Sequence, residues 1–264
     1  MLCVQDEGQG EPLVLVHGAG TSSAVWRRAT PLLAERHRVI APDVPGYGGS
    51  PAAGRGFALE EVADRLAAGL DEAGAPASYD LVGHSMGGAI AILLAARRPE
   101  RVRRLVLVAP AGLAALPRAV AALLGTVAAP YAIARRRLAS PLADSPFVRR
   151  LALAGVARDG ARVPADHARD VLASSAGATR IGPGLASAAA ADLRDALAAV
   201  RSPIGLVWGE HDPVIPRRRI DAIHAVRPDV TAVSVVPDTA HAPMVEAPAA
   251  FCAALEDVLA RLPR

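Results

Sequence analysis

The chain has 264 residues, of which 52% are hydrophobic and 21% charged, with a net charge of +3. This balance excludes an intrinsically disordered protein. A folded body of this length exposes roughly 11,000 Å² against roughly 39,000 Å² when extended, so its core needs no disulfide or metal staple. All 29 basic residues are Arg, yet only three Phe, three Tyr and two Trp are available to stack on bases. With no nucleic-acid motif present, the Arg clusters (Arg135 to Arg137, Arg217 to Arg219, and Arg101 with Arg103 and Arg104) read as solvated faces.

Residues 13–16 are a short apolar run ending in His17-Gly18-Ala19-Gly20, a buried strand feeding a Gly-rich loop. Residues 24–36 have a helical pattern interrupted at Thr30-Pro31, and 38–41 form the next strand, closed by a loop over 42–50. Between 59 and 73, Leu59, Val62, Ala63, Leu66 and Leu70 recur at helical spacing and stop before Gly74. Residues 79–82 are a strand, 86–97 a small-residue helix ahead of Pro99, and 104–109 another strand. Strands alternating with helices imply an α/β fold, a mostly parallel sheet with helices on both faces.

The alternation stops at about residue 113 and resumes with a strand at 203–208, a helix at 217–226, a strand at 231–236 and a closing helix at 248–262. The chain therefore divides into a discontinuous core, 1–112 and 193–264, and a helical insertion, 113–192. Residues 113–134 are nearly all apolar and about long enough to span a bilayer, but Pro117, Arg118, Gly125 and Pro130 break them up. They read as a lid over an apolar pocket, with no stable membrane span. Cys3 and Cys252 have no disulfide framework or metal-ligand spacing, and the first ten residues lack a leader pattern. A reduced, cytoplasmic protein is expected.

The chemistry centres on Gly83-His84-Ser85-Met86-Gly87, a G-x-S-x-G motif between a strand and a helix. Glycines two before and two after Ser85 remove Cβ atoms that would collide in a very tight turn. The hydroxyl is then exposed at a helix N-terminus. A serine hydroxyl needs a base. Of seven His, His241 follows the last strand, where a parallel sheet presents its site, whereas His37 and His224 read as surface. The base needs an acid to orient it. Asp212, after the 203–208 strand, fits the order Ser…Asp…His, with Glu210 as competitor. Backbone N–H groups of Ala19 and Met86 are the candidate oxyanion donors, with His17, Gly18, Gly83 and Gly87 in support.

These segments together resemble the α/β-hydrolase fold superfamily. The likeness lies in His17 to Gly20, Asp43 to Ser50, the Ser85 turn, Gly209 to Pro216, and His241 with Glu246 and Pro248. It covers everything except the insertion, which stands where that superfamily carries its cap. The resemblance implies cofactor-free acyl chemistry like that of small capped esterases, enol-lactone hydrolases and carbon–carbon bond hydrolases. Ala109-Pro110-Ala111-Gly112-Leu113 resembles the strand-to-cap junction of the last group. Three features depart from the pattern. The chain before Leu13 is short, Ala240 replaces a frequent Gly, and the insertion has only Tyr131 and Phe147 as aromatics. Ser85 argues against haloalkane dehalogenases and epoxide hydrolases, which use Asp.

The leading reading is a serine hydrolase acting on a small-molecule ester, thioester or lactone with a medium or apolar acyl group, with no cofactor and no metal. An acyltransferase or biosynthetic lyase or cyclase would use the same triad. A binding protein that retains the fold is the third reading. Arg135 to Arg137, Arg149 and Arg150 are candidate partners for a substrate carboxylate or phosphate, and oligomeric state has no sequence signature.

Overall fold

The computed structural model describes residues 1–54, 56–177 and 180–263. Seven strands form one sheet: β1 (Val4–Glu7), β2 (Glu11–Val16), β3 (His37–Pro42), β4 (Tyr79–His84), β5 (Val102–Val108), β6 (Ile204–Gly209) and β7 (Ala232–Val236). Their order is β1-β3-β2-β4-β5-β6-β7. Only β1 runs antiparallel to its neighbour, β3. The parallel sheet is as expected, and the short chain before Leu13 supplies one further strand, β1. Its mostly exposed residues carry no apolar alternation, so the sequence gives no sign of it.

The helices are α1 (Thr30–Ala34), α2 (Leu59–Glu72), α3 (Met86–Arg97), α4 (Arg118–Leu123), α5 (Ala129–Ala139), α6 (Pro146–Ala152), α7 (Ala165–Gly177), α8 (Ile181–Ala190), α9 (Arg194–Ala199), α10 (Ile220–Val226), α11 (Pro243–Glu246) and α12 (Pro248–Arg261). Strand residues alternate between two cores because successive side chains leave opposite faces. Val14, Val16, Leu81, Leu105 and Leu107 pack with α2, α3 and α9. Leu13, Leu15, Val82, Val106 and Val108 pack with α1 and α12.

Three expectations about the core need correction. The helix expected over 24–36 is a 3-10 turn, Ser23–Trp26, followed by the short α1, with Pro31 in its first turn. His37, expected at the surface, starts β3 and is buried with Nε2 2.8 Å from Glu256 Oε1. The cluster at 101–104 is not a solvated face. Arg104 is buried on the fully buried Asp80 and donates to the Leu259 carbonyl, Arg103 pairs with Glu11 and Asp80, and Arg101 with Asp71. A buried Asp in a strand demands such compensation.

Helices α4 to α8 all lie within the insertion. The apolar run is interrupted at Pro117, which caps α4, but not at Gly125 or Pro130: α4 continues through a π turn, Leu124–Ala128, directly into α5. The Ala129 N–H donates to the Leu124 carbonyl, and this wider turn falls just before Pro130, which has no N–H to donate. Gly125 and Gly182 let the π turn and α8 meet backbone to backbone. Among the described residues no helix is long and apolar enough to cross a membrane.

The insertion also buries His167, and neither ring nitrogen is hydrogen-bonded among the described residues. Burial, reinforced by Arg28 and Arg27 against the pull of Asp166, pushes its pKa down from 6.5 to about 4. The unfolded chain therefore takes up a proton that the folded chain refuses until about pH 4. The stability due to neutral His167 is whole above the ordinary histidine pKa and declines as pH falls from about 6.5 towards about 4. The urea midpoint should fall between about pH 7 and about pH 4.5, and fall less in His167→Gln. Equal pH slopes in the two proteins would contradict this account.

Candidate active site

Strand β4 ends at His84 and α3 begins at Met86, so Ser85 alone makes the reversal, with φ 54° and ψ −118°. Positive φ is costly for a side chain larger than Gly and is held only when the surroundings over-determine it. Here the Ser85 N–H donates to the Val108 carbonyl at 3.0 Å, and the Ser85 carbonyl accepts from Ala111 N–H at 2.9 Å. A Cβ on Gly83 would lie 2.5 Å from the Gly87 carbonyl oxygen and 2.7 Å from Ala91 Cβ. One on Gly87 would lie 2.5 Å from the His17 carbonyl oxygen.

Asp212 follows β6 and is buried. Its Oδ1 accepts from Val214 N–H at 2.8 Å and Ile215 N–H at 2.9 Å, and its Oδ2 lies 2.7 Å from His241 Nδ1. With Nδ1–H donating to the carboxylate, Nε2 of His241 is left as the basic nitrogen. Glu210 is turned elsewhere, accepting from Asp238 N–H at 3.0 Å. His241 is tied to the serine turn through His84, whose Nε2–H donates to the His241 carbonyl at 2.9 Å, with the two rings 4.8 Å apart. Burial, with help from His241, lowers the His84 pKa well below the ordinary value, so this ring stays neutral. Ser85 lines the neighbouring cavity, and its hydroxyl makes no hydrogen bond among the described residues.

His17 is fully buried. Its Nε2 accepts from Val44 N–H at 2.9 Å while Nδ1 donates to the Gly18 carbonyl at 2.9 Å, so the loop after β2 is pinned to the loop after β3. Burial lowers its pKa, which keeps the accepting nitrogen unprotonated. Gly18 packs against the turn, where a Cβ would lie 3.0 Å from Ser85 Cβ. Among the described residues, neither Ala19 N–H nor Met86 N–H finds an acceptor within the protein. Both residues line the cavity with Ser85. It measures about 220 Å³ and is roofed by the insertion through Leu113, Leu116, Leu124 and Leu185.

The contacts made by four residues escaped sequence reasoning. Asp43 accepts from Ser23 N–H and Gly49 N–H, both at 2.8 Å, organising the loop beside His17. Glu246 accepts from Ala240 N–H and from Asp159 N–H in the insertion, both at 2.9 Å. Arg136, on α5, donates to the Gly20 carbonyl at 2.7 Å, one residue past Ala19. Burial lowers its pKa to about 10, still protonated at neutral pH. Arg219 lines the cavity. Isolated Asp, Glu and Arg letters carry no periodicity that marks such roles. Among the described residues there is no cluster of three or more His, Cys, Asp or Glu able to hold a metal.

Residues 11–248 match the alpha/beta hydrolase fold family. The chain belongs to the alpha/beta hydrolase fold family. It is 33% identical over 258 residues, 96% of this chain and 97% of the relative, to a pimeloyl-[acyl-carrier protein] methyl ester esterase of Aeromonas hydrophila. A 2-hydroxymuconate semialdehyde hydrolase of Pseudomonas sp. is 46% identical over 112 residues, 41% of this chain and 40% of the relative. A solved thermophilic esterase from Thermogutta terrifontis superposes with a TM-score of 0.75 at 26% identity, covering 98% of this chain and 93% of that one. The protein is thus a hydrolase of this fold, as the motifs implied.

In this hydrolase the serine turn has no room for extra atoms. Gly87→Ala should destabilise by about 1–3 kcal/mol or more, because backbone rather than a mobile side chain blocks the new Cβ. Gly56→Ala, with nothing within 4 Å of the added Cβ, should be neutral or stabilising by about 0.4–1 kcal/mol. Urea unfolding of both variants checks the contrast.

Proposed function

We propose that the protein is a serine hydrolase that cleaves carboxylic esters, thioesters or lactones through Ser85, His241 and Asp212. The observation that carries this reading is Ser85 itself. It is held at φ 54° on the wall of an apolar cavity, flanked by Ala19 and Met86. His241, already bonded to Asp212, is fastened to the adjacent residue.

The Ser85 hydroxyl oxygen attacks the acyl carbonyl carbon while His241 Nε2 takes its proton. The tetrahedral oxyanion is received by the Ala19 and Met86 N–H groups, an arrangement in which one donor is worth about 2.7–4 kcal/mol of barrier. His241 then protonates the departing alkoxide or thiolate, leaving an acyl-serine. Water, deprotonated by His241, attacks the acyl carbon, and Ser85 recovers its proton as the acid leaves. Asp212 keeps the imidazole in the required tautomer and stabilises its cationic form.

Residues 113–192 serve as the cap, and 1–112 with 193–264 as the catalytic core. The apolar lining favours an apolar acyl chain. Ester rather than carbon–carbon cleavage is favoured because the ester-hydrolysing relative matches over nearly the whole chain, the semialdehyde hydrolase over less than half. The free thiols of Cys3 and Cys252 suit a reducing compartment such as the cytoplasm.

A fluorophosphonate should label Ser85, and Ser85→Ala should lose both label and turnover of nitrophenyl esters. Asp212→Asn should lower kcat by about 10³- to 10⁴-fold through the wrong tautomer. Glu210→Gln should stay within about twofold, as expected of a surface group outside the triad. Labelling elsewhere, or equal losses at Glu210 and Asp212, would overturn the assignment.

A further inference from the structure

The cavity is lined almost entirely by carbon. Among the described residues its only hydroxyl is that of Ser85 and its only charged side chain is that of Arg219. The arginines first considered as substrate partners are engaged with the protein's own structure. Arg149 donates to the carbonyls of Ala143, Asp144 and Ala161, and Arg150 pairs with Asp159. Arg135 donates to the Ala152 carbonyl and Arg136 to the Gly20 carbonyl.

Arg219 differs from them. Its guanidinium has no ion pair or hydrogen bond among the described residues, and the nearest acid in sequence, Asp221, does not pair with it. Its mount is firm. Asp212 Oδ1 holds the Val214 and Ile215 N–H groups, Trp208 Nε1–H donates to the Ile215 carbonyl at 2.8 Å, and Arg219 N–H donates to the Pro216 carbonyl at 2.8 Å. The same carboxylate that orients His241 therefore also sets the loop carrying this cation. Arg217 and Arg218 stand exposed beside it and add to the positive potential.

We infer that Arg219 binds the anionic end of the substrate, and that the preferred acyl compounds carry an oxyanion, carboxylate or phosphate, beyond an apolar stretch. This rests on Ser85 being the nucleophile. An apolar chain laid across the cavity strips water from the guanidinium, which is unfavourable unless an anion arrives with it. An oxyanion answers that need with paired, charge-assisted hydrogen bonds that suit the planar fork of Arg. Arg219 is a specificity-determining residue, since it contacts the far end of the ligand rather than the reacting carbonyl.

The test uses alkyl fluorophosphonates of matched length that end in carboxylate, phosphate monoester or uncharged carboxamide, over a series of chain lengths. Second-order labelling rates at Ser85 are measured for the wild type, Arg219→Gln, Arg219→Glu and Arg219→Lys. At the best length the wild type should react about tenfold or more faster with an anionic probe than with the carboxamide, the size of one to two charged hydrogen bonds. The ratio of anionic to carboxamide rates should fall to about one in Arg219→Gln, invert in Arg219→Glu and partly return in Arg219→Lys. The anionic probe that loses more in Arg219→Gln names the source of the oxyanion. No anionic preference in the wild type, or a preference that survives Arg219→Gln, overturns the inference while leaving Ser85 as nucleophile. Failure of every probe to label Ser85 instead overturns the nucleophile assignment, and this inference falls with it.

Discussion

At Ser85 the backbone must turn from the end of β4 into α3 within a single residue, at a φ that L side chains avoid. That turn closes only if the strand and the helix press together without intervening Cβ atoms, which is why Gly83 lies against the Gly87 carbonyl and Ala91, and Gly87 against the backbone of Val16 and His17. Its strain is carried by the sheet. The Ser85 peptide is bonded at both ends to the exit of β5, and β4 lies between β2 and β5 at the centre of the parallel sheet. The loop after β2 then packs on the turn through Gly18, so the position of the Ala19 N–H follows from the same close approach.

The loops after β6 and β7 are joined to one another before they meet the serine. His211 N–H donates to the Thr239 carbonyl, Glu210 N–H to the Val236 carbonyl, and His241 to Asp212. The insertion grips the second of these loops directly. Ala242 N–H donates to the Val156 carbonyl, Glu246 bridges Ala240 and Asp159, and Arg158 and Arg162 both pair with Asp238. On the other side Arg136 reaches the Gly20 carbonyl. The roof of the cavity is thus bonded to the loop that holds His241 and to the loop that holds Ala19, so its placement and the geometry of both loops are mechanically linked.

Arginine has several distinct roles in a chain that has no lysine. Arg104 compensates a buried carboxylate inside the sheet, and Arg149 ties three carbonyls within the insertion. Exposed pairs such as Arg194 with Asp192 contribute little to stability, since solvent screens them. The planar, always-charged guanidinium suits burial on carbonyls better than an ammonium would, because it is more weakly hydrated and presents five donors.

Much of the molecule was legible without coordinates. Apolar runs alternating with helical periodicity specify a parallel sheet, since each strand must bury both faces. The Gly-x-Ser-x-Gly sequence after such a strand specifies the turn, because few residue combinations tolerate it. Asp212 and His241 could be placed because loops at the carboxyl ends of parallel strands converge. By contrast, β1 pairs at the sheet edge with mostly exposed residues, so no hydrophobic pattern announces it. That His37 is buried, that Arg104 lies inside the sheet, and that Arg136 and Arg219 reach loop and cavity depend on contacts between segments far apart in the chain. A long polar side chain carries no local signal of what it will meet, and only the packing of the elements decides it.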